Sequence, residues 1–388
     1  MNFDEVIDRR GTHCMKWDMM ERLYGVSADT GTAMWVADMD FRPPAAAGRA
    51  LQRMLDHGIY GYYGDERSYR DAICRWMRNR HGWDIEPEWI FSTHGLVNGT
   101  ALCIDCFTRP GDRVVLFTPV YHAFARVLTA AGREIVECRL ALNEGRYEFD
   151  FDAYDRQMKG GETLAILCSP HNPGGRVWYR RELRAMAEFC ERHDLLLVSD
   201  EIHHDLVLPG HDHIAMPLAA PEAQQRTIML TATTKTFNLA GAHIGNVIIA
   251  DDRLRAVFAA RMAALGISPN SFGLFLAEAV YSDEGAEWVD HLVRYLDANR
   301  EIFDRRINAL PGLASMQLEA TYLAWVNFSD TGLAPEEVSR RIEQVARIAV
   351  NRGPTFGAGG AGFHRFNLAT PRIVMEAALD RLEAAFSG

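Results

Sequence analysis

The stretch "TATTKTF", Thr231–Phe237, contains one of only three lysines in 388 residues; the others are Lys16 and Lys159. The chain has 41 Lys and Arg residues, so the other 38 are arginine. At Lys235 a chain that habitually uses arginine for positive charge keeps an amine. An amine forms a reversible Schiff base with a carbonyl and shuttles a proton; a delocalised, permanently protonated guanidinium does neither. Lys235 stands just after an apolar run, and other chemistry-bearing residues follow other apolar runs. "WIFST" leads into His94-Gly95-Leu96-Val97 at the start of a helical pattern. "VVLFTP" leads to Tyr121, "LAILCSP" to Asn172, and "LLLVS" to Asp200. "TIMLTA", which includes Thr231, leads to Thr233, Thr234 and Lys235.

These groups meet only if the runs are strands that end at one edge. Candidate strands lie at 89–93, 112–119, 134–140, 163–170, 195–201, 227–232 and 246–250. Near-continuous Val/Ile/Leu runs alternating with helical patterns such as 179–193 predict an α/β fold, a mostly parallel seven-stranded sheet covered on both faces. Ligands of such sheets bind beyond the C-terminal ends of the strands. A helical stretch at 274–309, a helix at 335–346 and strand-like segments at 347–353 and 364–369 predict a smaller α+β domain. The expected division is an N-terminal segment at 1–45 packing with the small domain, a large domain at 46–280 and the small domain at 281–388.

Each strand-end residue alone has a plainer account. Gly95 permits a tight turn, Tyr121 is a core ring with a wet hydroxyl, Asn172 is a turn residue, Asp200 caps a helix, and Lys235 is a surface cation. Together at one edge they match the needs of one ligand, pyridoxal 5'-phosphate. A helix N-terminus at Gly95, Leu96 and Val97 holds a phosphate, with the threonine hydroxyls near Lys235 assisting. Tyr121 stacks on the ring, Asn172 meets the ring oxygen, Asp200 keeps the ring nitrogen protonated, and Lys235 forms the imine.

Composition sets outer bounds. A formal net charge of −11 with no long basic run argues against nucleic-acid or anionic-membrane partners. No apolar run approaches membrane-spanning length, and residues 1–18 lack a signal-type apolar core, so a cytoplasmic protein is expected. Seven scattered cysteines do not form a disulfide framework, and the CxxC at Cys103 and Cys106 lacks a zinc-completing partner. "FGAGGAGF" (356–363) matches GxGxxG, but a strand-like segment follows it where a dinucleotide fingerprint needs a helix.

At "SPHNPGGRVW", "VSDEIHHDL", "TTKTFNLAG" and "GFHRFNLATPR" the sequence resembles fold-type I pyridoxal-phosphate enzymes. "DRRGTHCMKWD", "MWVADMDF" and "HGIYGYYG" narrow the resemblance to the MalY/PatB group of cystathionine β-lyases. The resemblance runs nearly end to end. It implies that Arg365 clamps a substrate α-carboxylate, that Ala37 lines the substrate pocket, and that Tyr62 reaches the phosphate of a neighbouring subunit in a homodimer. It also implies that His203 supports the Asp200 carboxylate. The expected reaction is carbon–sulfur β-elimination from cystathionine or a related cysteine conjugate. Transamination is the alternative, because it uses the same residues, and regulation through a protein partner is a second. The sequence departs from the group's pattern at His122-Ala123, which leaves the substrate preference open. Thr234 replaces the usual serine before the lysine and keeps the hydroxyl.

Overall fold

In the computed structural model, which describes every residue except Pro269 and Gly388, the seven apolar runs form one sheet. Its strands are β1 (Ile90–Thr93), β2 (Arg113–Thr118), β3 (Glu134–Arg139), β4 (Glu162–Cys168), β5 (Leu196–Asp200), β6 (Thr227–Thr231) and β7 (Gly245–Ile249). Their spatial order is β1-β7-β6-β5-β4-β2-β3. Pairing is parallel from β6 through β3, and β7 runs antiparallel to both its neighbours.

The continuous apolar character of these strands follows from two cores, one on each face. Side chains of successive strand residues point to opposite faces. Val115 and Phe117 of β2, Ala165 and Leu167 of β4, and Leu197 of β5 enter one core. Val114 and Leu116, Leu164 and Ile166, and Val198 enter the other. Helices Leu96–Phe107, His122–Ala130 and Arg180–Arg192 cover the sheet. Cys103 and Cys106 lie in the first of these, and all seven cysteines are free.

The C-terminal part builds a second sheet from β8 (Ala314–Ser315), β9 (Leu323–Asn327), β10 (Asn351–Arg352) and β11 (Phe363–Asn367). All pairs are antiparallel, in the order β8-β9-β11-β10. Two helices pack on it. Phe303 of Asp283–Ile307 meets Phe366 at 5.5 Å, and Phe386 of Arg372–Phe386 meets Phe328 at 5.4 Å. The helical stretch expected at 274–309 is two helices, Ser271–Val280 and Asp283–Ile307. Between them Tyr281 leaves helical geometry, and the Ser282 hydroxyl caps the second helix by accepting from the Gly285 N–H. The glycine-rich run at 356–363 forms a loop leading into β11. Among the described residues no helix is long and apolar enough to cross a membrane.

The N-terminal residues cross to both parts. Thr32–Ala33 pairs in parallel with Ile348–Ala349, and the Asn367 N–H donates to Met34 O at 2.8 Å. Residues 35–41 then run without regular structure. An enclosed charge cluster holds this run. Lys16 donates to Asp40 at 2.8 Å, Trp17 Nε1 to Asp40 at 3.1 Å, and Arg9 to Asp38 at 2.8 Å and Asp40 at 2.7 Å. Lys16 is fully enclosed and Asp40 nearly so. Burying charges is tolerable only when each is paired, and removing one partner strands the other. Lys16→Met should therefore cost about 3 kcal/mol. The loss should appear as a lower denaturant midpoint at unchanged slope; an unchanged midpoint would contradict this reading of the cluster.

Candidate active site

Six elements bring the predicted residues together: the ends of β1, β2, β4, β5 and β6, and strand β11. After β6, the four-residue helix Thr233–Thr236 carries Lys235. The Lys235 amine donates to Ala37 O at 2.5 Å, and the Tyr322 hydroxyl donates to the same carbonyl at 3.0 Å. Burial lowers the Lys235 pKa to about 8; Asp38 and Asp200 oppose the shift and Arg365 adds to it. At the end of β5, Asp200 is buried, and among the described residues its carboxylate accepts from the Ile202 N–H alone, at 3.1 Å. Burial raises its carboxyl pKa to about 7, against the Ile202 bond and the nearby Lys235. Burial thus moves the amine's pKa down and the acid's up, as at sites whose ionisable groups are tuned for function.

Arg365 comes from β11 and Asn172 from the turn after β4. The guanidinium donates to Asn172 Oδ1 at 2.9 Å, Trp35 O at 3.0 Å and Asn351 Oδ1 at 2.6 Å. It lies 5.0 Å over the Phe356 ring. Arg365 is 3% exposed, and among the described residues it has no carboxylate partner. Its Nε is buried without any partner. Burial lowers its pKa to about 10, with Tyr121, Tyr322 and Tyr24 opposing. A cation held this dry without a counter-charge is arranged to receive one.

Asn172 is fixed by the residue before it. His171 accepts from the Gly174 N–H at 3.2 Å through Nδ1, and its Nε2 lies 3.0 Å from Pro119 O. That pairing requires the neutral imidazole with its proton on Nε2, and burial holds the pKa down to about 3.

At the end of β1, Gly95 (φ +85°) opens helix Leu96–Phe107. Glycine serves this backbone angle, because a Cβ there would meet nothing within 4 Å. The first-turn N–H groups of Leu96 and Val97 have no intrahelical acceptor. Gly245, which the sequence reading did not single out, lets β7 pass beneath this cradle: a Cβ would sit 2.6 Å from Leu96 Cδ2 and 3.1 Å from Leu96 N. The Thr233 hydroxyl is buried without a partner, and Thr234 is nearly buried beside it.

Tyr121 is largely enclosed, with His122 at 5.0 Å and Phe124 at 5.6 Å. His122 faces Phe356 at 5.8 Å, and Arg365 lies over the same ring at 5.0 Å. His122 is exposed, yet packing around its ring, with Arg365 and Arg126 nearby, lowers its pKa to about 4.

Two expected roles change. Thr231, the last residue of β6, is enclosed in the sheet, where its hydroxyl accepts from Asn246 Nδ2 at 3.2 Å. Strand alternation thus turns Thr231 into the core and leaves Thr233 the nearer hydroxyl. His203 makes no hydrogen bond to Asp200 among the described residues. Its Nδ1 is buried without a partner and its ring lies 6.0 Å from Tyr322. Tyr62 is fully exposed and adds nothing to its own chain's site.

Groups outside the sequence reading hold the segment over Lys235. Asn367 Nδ2 donates to Val36 O and Asp38 O, both at 2.6 Å. Asn238 Nδ2 donates to Met39 O at 2.9 Å and Phe41 O at 2.7 Å. Asn367 lies two residues beyond Arg365 on one strand, and that same-face spacing was its available signal.

The fit to a phosphorylated aldehyde cofactor rests on these orphans: free helix N–H groups beside an unpaired threonine hydroxyl, an under-satisfied buried acid, and a dry amine. The model for aminotransferases of class I and II matches residues 34–382. The chain is 38% identical to cystathionine beta-lyase PatB of Bacillus subtilis strain 168, covering 100% of both proteins. It is 30% identical to protein MalY of Escherichia coli K12, over 97% of this chain and 96% of that protein. The crystal structure of cystalysin from Treponema denticola, which contains a pyridoxal 5'-phosphate cofactor, matches with TM-score 0.94 and 34% identity over 100% of this chain and 98% of that one. With the motifs in order along the whole chain, this protein belongs to the class I and II aminotransferase family, on its MalY/PatB branch.

Proposed function

We propose that this chain is a pyridoxal-phosphate-dependent carbon–sulfur β-lyase acting on cystathionine or a related cysteine conjugate. The observation that carries the reading is Arg365, a buried guanidinium with no anionic partner among the described residues, 2.9 Å from Asn172. The lyase assignment draws on the likeness to PatB and MalY.

Gly95, Leu96, Val97 and Thr233 would hold the cofactor phosphate, with Tyr121 against the ring, Asn172 near its oxygen and Asp200 opposite its nitrogen. Once bound, the cofactor supplies a carbon that an amine can join and a ring that accepts the electron pair left at Cα. The protein's own residues do the rest. Arg365 binds the α-carboxylate and turns the amino acid toward Lys235. The Lys235 amine, its pKa lowered to about 8, takes the Cα proton. Asp200 keeps a negative charge where the ring nitrogen needs a proton. The carbonyls of residues 35–39, bound by Arg365, Asn367, Lys235, Tyr322 and Asn238, keep the segment closed against water. Departure of the sulfur from Cβ and hydrolysis of the remainder give a thiol, pyruvate and ammonia.

The protein acts as a cytoplasmic homodimer, with Tyr62 completing the phosphate site of the neighbouring chain. The exposed Tyr62 shares its surface with exposed Ile59, Tyr60 and Phe275, and exposed Phe272 packs 5.6 Å from Tyr60, an apolar patch of the kind that marks an interface. The seven free cysteines suit a reducing compartment.

Incubation of the purified enzyme with cystathionine should release pyruvate without any 2-oxo acid acceptor. An absolute requirement for an acceptor would instead identify an aminotransferase. A second prediction concerns Asp200 in the cofactor-free protein. Its folded pKa, about 7, lies above the unfolded value of 3.8, so burying it costs nothing at low pH. The cost grows as pH rises from about 4 through 7. Asp200→Asn should therefore match the wild type in stability near pH 4 and exceed it by about 2–4 kcal/mol above pH 7. Chemical denaturation across this range checks it; a pH-independent difference would contradict it.

A further inference from the structure

A second enclosed carboxylate, Asp205, lies five residues after Asp200, and the proposed reaction makes no use of it. It accepts from Trp76 Nε1 at 3.1 and 3.2 Å and from the Thr236 hydroxyl at 2.9 Å. His81 Nε2 lies 2.8 Å away and His204 Nε2 3.2 Å, both on side chains that are at least nine-tenths buried. Arg80 Nε lies at 3.7 Å. The ligand atoms of His81, His204 and Asp205 are near enough to one another to hold an ion. However, both Asp205 oxygens already accept N–H or O–H donors, and Arg80 adds a positive charge. The cluster is therefore a donor shell around an anion, and it fixes whatever donates to it.

One of those donors adjoins Lys235. Thr236 belongs to the same four-residue helix, which has no side-chain cap at Ala232. A helix of one turn does not hold itself together and depends on outside contacts. Thr236 is fully buried, and its hydroxyl bond to Asp205 is the helix's side-chain tie on that side. Asp205 is in turn held by Trp76 and His81 of helix Arg67–His81 and by its own turn. That turn is closed by the Ile202 N–H on Asp200, the His204 N–H on Glu201 O and the Leu206 N–H on His203 O. One rigid turn thus carries Asp200 at its start and, through Asp205, the support of the Lys235 helix at its end.

We infer that Asp205 is a positioning residue for Lys235, acting through the Thr236 hydroxyl, and that helix Arg67–His81 sets its place. This rests on Lys235 being the acting amine. The test compares Thr236→Val, which keeps the branched shape and removes the donor, with Thr236→Ser, which keeps the donor. Lysine labelled with carbon-13 at Cε gives three signals in this chain, so the Lys235 amine can be titrated by NMR in the cofactor-free full-length protein. In the wild type it should titrate at about 8. In Thr236→Val the loosened amine gains water and its midpoint should rise toward the ordinary 10.5, while Thr236→Ser should stay at the wild-type value. In the loaded enzyme, Thr236→Val should lower kcat roughly tenfold at little-changed KM, and Thr236→Ser should be near wild type. A Thr236→Val midpoint equal to wild type overturns the inference, and so does a Thr236→Ser midpoint that moves with it. The titration needs neither cofactor nor substrate, so it stands or falls separately from the lyase assignment.

Discussion

The Lys235 amine reaches 198 residues back along the chain to the carbonyl of Ala37. That contact joins the turn after β6 to the irregular run at 35–41, and the rest of the site is arranged around it. Tyr322 shares the Ala37 carbonyl, Arg365 binds Trp35 O, and Asn367 binds the carbonyls on either side of Ala37. A segment without regular structure has unsatisfied backbone acceptors, and here side chains of the site satisfy them. The same side chains hold the segment over the amine, and burial lowers the amine's pKa into the range where it can take a proton.

Charge burial explains why the N-terminal segment is tied so firmly. Asp38 and Asp40 would be costly beside a dry lysine without Arg9 and Lys16 to neutralise them. The chain uses its two enclosed lysine sites differently. Lys16 is paired with a carboxylate, whereas among the described residues Lys235 has only a carbonyl acceptor and burial lowers its pKa. Arg365 completes the contrast: it is as buried as Asp200, and three neutral acceptors hold it with no counter-charge among the described residues. Such an arrangement stores binding energy for an incoming carboxylate.

Much of this was legible in the sequence, for identifiable reasons. Two-sided burial makes β2, β4, β5, β6 and β7 near-continuous apolar runs, so they were visible, and the strand-end rule then placed Gly95, Tyr121, Asn172, Asp200 and Lys235 on one edge. What stayed hidden depends on local geometry or on long-range contact. Whether Thr231 or Thr233 faces the cradle is decided by one step of strand alternation. The break at Ser282 interrupts a helical pattern whose apolar periodicity continues across it. His203 follows Asp200 so closely that support of the carboxylate was the natural expectation, yet the turn gives that bond to the Ile202 N–H. The Arg365–Asn172 bond spans 193 residues, and no local pattern reports it. Asp205 sits in the same motif as Asp200, and only the fold reveals that it supports Thr236 rather than a ligand.

The central claim is that this edge of the sheet exists to present one dry amine to pyridoxal phosphate. Borohydride reduction of the purified, cofactor-loaded protein, followed by peptide mass spectrometry, tests it directly. The chain offers only Lys16, Lys159 and Lys235 as side-chain amines. One pyridoxyl group per chain is expected, on Lys235. A label on Lys16 or Lys159, or none at all, would contradict it.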